Sequence, residues 1–120
     1  MIINISKAMN WITKEGVNFI KFREKSPLYF GRLFEGEVEG AYVELQVFSE
    51  PSHYGIAEGR ISRLTIYPEK SSPFNCKLAD YDRGWDGGKP PKDPRVRSII
   101  EKTVYHFDQK NIDWEFEEKR

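Results

Sequence analysis

One cysteine in 120 residues leaves no internal disulfide to staple this chain, and such sparse use fits a reducing compartment. An excess of one charge is missing too, since 19 Lys and Arg balance 19 Asp and Glu. A broad phosphate-binding surface normally shows as a basic excess, so nucleic acid is not an expected partner. No apolar run approaches the roughly 18 residues a membrane span needs. Met1-Ile2-Ile3-Asn4-Ile5 lacks a basic segment ahead of a long apolar one, so no signal peptide is read. The expected address is therefore the cytoplasm, with no membrane partner. There is no Gly-x-Ser-x-Gly elbow and no phosphate loop, because Gly88-Lys89 runs into Pro90 without an upstream glycine frame. Repeats, heptads and low-complexity tracts are also absent.

What the chain does have is aromatic bulk. Eight Phe, six Tyr and three Trp each bury about 150–250 Å² when enclosed. A modest number of residues can therefore fill a core although only 38% are apolar. The length suits one domain, residues 1–120, burying roughly 65% of its extended-state surface.

Alternation carries the centre, residues 31–86. In Ala41 to Phe48, the residues Ala41, Val43, Leu45 and Val47 share one face and Tyr42, Glu44, Gln46 and Phe48 the other, the period of a half-buried strand. Leu33 to Val38 reads as its partner, joined by the turn Glu39-Gly40. Arg60 to Tyr67 is a third strand, stopped by Pro68, and Phe74 to Ala79 a shorter fourth. Asp93 caps a helix over 93–111 with Pro94 at its first position, and Val96, Ile99, Ile100, Thr103, Val104 and Phe107 make one apolar stripe. The fold class is thus α+β: an antiparallel sheet of about four to five strands with the C-terminal helix packed across one face. Ile112 to Glu118 alternates again, and Ile112, Trp114 and Phe116 read as an added edge strand, with docking under the helix as the alternative. The first thirty residues allow either a helix from Ser6 to Gly16 followed by a strand from Val17, or one longer helix, ended in both cases at Ser26-Pro27.

Candidate residues fall on two connections. Ser49 to Arg60 is longer than the usual two to five residues of a hairpin loop, and long loops tend to be functional. Ala79 to Asp86 packs Tyr81, Arg83 and Trp85 among Asp80, Asp82 and Asp86; Tyr, Trp and Arg dominate binding hot spots because each joins large area to a polar tip. Tyr54, Arg60, Tyr81, Asp82, Arg83, Trp85 and Asp86 are therefore the expected binding residues. The plain alternative makes Trp85 a core plug and Arg83 the ion-pair partner of Asp82 or Asp86. Cys76 reads as a half-buried thiol in or beside a strand, and His106 as a boundary or solvated residue. Asp80-x-Asp82-x-Gly84-x-Asp86 is no EF-hand, since Gly84, Trp85 and Pro91 replace its fifth, sixth and twelfth residues. No metal site, cofactor or catalytic residue is assigned; an enzyme would need Asp80, Asp82 and Asp86 to gather a metal, and that is the last of the readings.

Gly36-Glu37-Val38 ahead of the strand Tyr42 to Phe48, then Glu50-Pro51-Ser52-x-Tyr54-Gly55-Ile56, Gly59-Arg60-Ile61-Ser62-Arg63-Leu64 and Tyr81-Asp82-Arg83-Gly84-Trp85-Asp86, resemble a family of small uncharacterised proteins of Gram-positive bacteria and their phages and prophages. The likeness covers residues 31–86 and implies a setting without a chemistry. The expected function is a non-catalytic module binding a host protein, such as a defence or replication factor. A binder of small nucleotides, with Arg60 and Arg83 as anion clamps, is the alternative reading. A nucleic-acid accessory using the aromatic–basic stretch Trp11 to Arg23 is a third. Self-association is left open.

Overall fold

The period-2 segments form the sheet. In the computed structural model, which describes residues 20–27 and 31–120, five strands make one antiparallel meander in the order β1-β2-β3-β4-β5. They are β1 (Ile20–Pro27), β2 (Arg32–Val38), β3 (Ala41–Val47), β4 (Ile61–Tyr67) and β5 (Ala79–Asp82). β2 and β3 pair in unbroken register from Arg32↔Val47 to Val38↔Ala41. Their turn, Glu39-Gly40, has positive φ at both residues (51° and 84°), which suits the right-handed twist of a hairpin. Helix α1 (Pro94–Asp108) holds that turn, as Arg95 donates to the Glu39 carbonyl at 3.0 Å and Ser98 to its carboxylate at 2.6 Å.

α1 starts where its cap residue predicts: the Asp93 carboxylate accepts from the backbone N–H groups of Arg95 and Val96. It stops at Gln109 in the left-handed conformation. Its stripe of Val96, Ile99, Ile100, Thr103 and Val104 is buried against Val38, Val43, Leu45, Leu64 and Ile66 in one core. On β1, Phe22 stacks edge-on against Phe107 of the helix at 4.9 Å. No room exists for a side chain opposite it, because a Cβ on Gly36 would sit 2.6 Å from the Phe22 ring.

Three expectations need correction. The tail forms helix α2 (Trp114–Lys119) instead of an edge strand. Asp113 caps it, accepting from the Phe116 N–H at 3.3 Å, and the residue it buries is Glu117, with Phe116 left exposed. The last strand runs from Ala79 to Asp82, later than Phe74 to Ala79, because Ala79 and Tyr81 pair with Ile66 and Leu64 and fill the core while Phe74 and Leu78 stay exposed. Cys76, left in the preceding turn, is exposed and not half-buried. His106 is solvated, as expected. The proposed helix Ser6–Gly16 and most of the stretch Trp11 to Arg23 lie outside the described residues, whereas Ile20 to Pro27 is strand. No helix among the described residues is long and apolar enough to cross a membrane.

Candidate functional site

The helix-free face of the sheet is polar, and its centre is a carboxylate–phenol cluster. Cross-strand partners Glu35 and Glu44 would repel. The Tyr42 hydroxyl donates to Glu35 at 2.6 Å, while Lys25 donates to Glu44 at 2.9 Å. Arg23 pairs with the second Glu35 oxygen. The Tyr42 hydrogen bond, followed by Arg23, holds the Glu35 carboxyl below the usual carboxylate range against its burial. Burial and the two carboxylates push the Tyr42 phenol up. With every charge answered locally, this cluster is structural.

At one rim of the same face, the two suspected connections meet. A bulge at Gln46/Val47 ends the β3–β4 ladder, and the loop beyond closes on itself through Ser52 N–H to the Gly59 carbonyl, 3.0 Å. Gly55 is required there, since a Cβ on it would lie 2.0 Å from the Gly59 oxygen. Three consecutive carbonyls of this loop are then held from outside. Arg120 takes those of His53 at 2.6 Å and Gly55 at 3.0 Å, and the buried Tyr81 hydroxyl takes that of Tyr54 at 2.7 Å. Glu117, 1% exposed, completes the latch by accepting from the Ala57 N–H at 2.9 Å, the Trp85 indole N–H at 3.0 Å and Arg120 at 3.2 Å.

Across from the loop, β5 turns back sharply: Asp82 N–H reaches the Gly84 carbonyl and Arg83 N–H the Ser62 carbonyl. Arg83 sits at the tip with φ 61°, a left-handed conformation that costs a side-chain-bearing residue about 1–2 kcal/mol. That strain presents its guanidinium outward, 4.3 Å over the half-exposed Tyr54 ring. Between the loop and this turn lies a cleft of about 590 Å³ lined by Phe48, Glu50, Pro51, Tyr54, Arg63 and Arg83, with Gln46, Ser49, Ser52 and Ser62.

The seven suspected residues thus separate. Tyr54 and Arg83 come together at the cleft. Asp82 stands on its edge, 3.8 Å from Arg63, and Asp86 is exposed on the far side of Trp85, beside a smaller pocket with Lys89 and Pro91. The outward Trp85 that a hot spot needs is corrected: its indole is 9% exposed, edge-on to Tyr81 at 4.8 Å, and its N–H is consumed by Glu117. Tyr81 is 1% exposed. Arg60 is not an anion clamp, because Asp108 takes its side-chain and backbone N–H groups and Phe107 offers a carbonyl. These three hold the site up from beneath. Asp80 is bound by Thr65 and Lys77, and among the described residues no group of His, Cys, Asp and Glu is placed to hold a metal.

Part of the lining, Gln46, Phe48, Ser62 and Arg63, comes from residues that sequence reasoning passed over. Arg63 was readable in part, since the alternation that turns Leu64 and Ile66 inward turns Arg63 outward. Ser62 and Glu117 carried no signal, as one is buried by the bulge and the other by a helix whose segment alternates like a strand.

This chain belongs to the family described as Domain of unknown function (DUF7678), whose model matches residues 32–108. The match extends past the two loops to the end of α1 and stops short of α2. No curated protein and no solved structure matches the chain.

Proposed function

We propose that this DUF7678 chain is a small non-catalytic interaction module that binds a partner protein at the cleft between the 48–60 loop and the β5 turn. The observation that carries this reading is the convergence of both loops on one exposed Arg83–Tyr54 pair, backed by a buried frame of Tyr81, Trp85 and Glu117. A guanidinium on an aromatic ring, held by spent backbone strain and anchored underneath, is a preorganised contact, and preorganisation lowers the entropy lost on binding. A host protein as partner, in a phage or prophage setting, extends the family resemblance. The test is affinity capture from host lysate with the full chain and with an Arg63→Ala/Arg83→Ala double variant of matched thermal stability. A protein retained by the first and lost by the second supports the reading; an identical retained set with both ends it.

A further inference from the structure

The eight arginines differ in one respect that bears on what the cleft takes. Arg32, Arg60, Arg95, Arg97 and Arg120 each donate to a carboxylate or carbonyl, and Arg23 is ion-paired with Glu35. Among the described residues, Arg63 and Arg83 alone donate no side-chain hydrogen bond, and both line the same cleft. Arg63 has only the distant Asp82 carboxylate at 3.8 Å. Arg83 has the Tyr54 face at 4.3 Å, a contact that uses none of its N–H groups in a hydrogen bond to oxygen. A second, independent observation points to the same place: the Ser62 hydroxyl, on a residue 5% exposed in the cleft wall, has no hydrogen-bond partner. Buried polar groups are ordinarily satisfied.

We propose that the cleft is a binding site for a phosphate monoester, with Arg63 and Arg83 as its two forks and Ser62 as a third donor. The proposal rests on the reading of the cleft as a recognition site and names what is recognised there. A carboxylate has two oxygens and is satisfied by one guanidinium. Two guanidiniums and a hydroxyl exceed that demand and match the three free oxygens and second charge of a phosphate ester. Phe48, Pro51 and the remaining Tyr54 surface give the carrier an apolar wall, and Glu50 offers an acceptor for a hydroxyl or amino group on it. The volume lies in the range of ligand pockets, about 300–1,000 Å³. The same ester arrives either on a free mononucleotide or on a phosphorylated side chain of a partner protein.

Isothermal titration of the full chain against 5′-AMP, adenosine, a phosphoserine peptide and its unphosphorylated form separates these sources. Binding of at least one phosphorylated member, with its unphosphorylated counterpart silent, is the expected result, and which one binds identifies the carrier. Arg63→Ala and Arg83→Ala each weaken that binding about tenfold or more, the scale of a lost charge-assisted hydrogen bond. Arg83→Lys restores only part, because an ammonium lacks the fork. Neither arginine supports the fold through a hydrogen bond, so the variants keep the parent melting temperature to within a few degrees. Should neither phosphorylated ligand bind at millimolar concentration while the double variant still loses a captured protein, the phosphate assignment is overturned and the recognition reading stands. Phosphate binding that survives the double variant overturns the site itself.

Discussion

Glu117→Ala is the substitution on which the account of the site can be tested most severely. The carboxylate is almost fully enclosed and accepts from three donors: the Ala57 N–H, the Trp85 indole N–H and the Arg120 guanidinium. Truncation orphans all three. Each buried donor left unmade costs about 1–3 kcal/mol. The Arg120 side chain, 17% exposed, recovers part of its share from water, so the total comes to about 3–5 kcal/mol, the range for breaking a buried charged pair. Against a domain stability of about 5–15 kcal/mol, that is roughly a fifth or more. In a urea titration followed by tryptophan fluorescence, a slope of about 1.5 kcal/mol/M places the midpoint about 2–3 M lower. A Trp85→Phe background already lacks one of the donors, so Glu117→Ala costs about 1 kcal/mol less there. The His53 and Gly55 carbonyls also lose part of Arg120's anchorage, so the binding proposed for the cleft is expected to weaken together with stability. A midpoint within about 0.5 M of the parent refutes the latch, because under 1 kcal/mol cannot contain three orphaned donors.

Three further outcomes are expected. Gly55→Ala drives a Cβ into the Gly59 carbonyl and lowers stability by about 2–3 kcal/mol or more; Gly84→Ala, with nothing within 4 Å of its Cβ, stays close to the parent, and equal losses in the two would contradict the loop geometry. The Glu35 carboxyl is held below its ordinary value, so its contribution is full above the unfolded Glu pKa of about 4.3 and is lost as pH falls through the folded value. Glu35→Gln therefore shrinks the drop in urea midpoint between pH 7 and pH 3, with a residue remaining from Glu39 and Glu44, which are lowered too; an unchanged drop contradicts the role given to Tyr42 and Arg23. Cys76 is exposed, so a thiol reagent labels it in the folded protein as fast as in urea, and protection until unfolding would count against the turn at 73–78.

Much of this molecule was decided by local pattern. Alternation in Ala41 to Val47, the Glu39-Gly40 turn, the Asp93-Pro94 start and the stripe from Val96 to Val104 each specify one element because the side-chain period and the backbone demand agree. The same pattern brought Tyr54 and Arg83 under suspicion, and they do meet. What local pattern could not decide was which polar groups are spent. Arg60 and Arg63 are three residues apart and chemically identical, yet Asp108, 48 positions from Arg60, consumes one and leaves the other facing the cleft. Trp85 and Glu117, 32 positions apart, are joined inside the fold by a hydrogen bond that neither implies alone. Hydrogen-bond satisfaction is a property of the folded neighbourhood, and burial fixes it only when distant segments close over one another. The sequence by itself therefore determined the central strands, the long helix and the two loops; the tertiary structure alone decided which arginines are spent inside the fold.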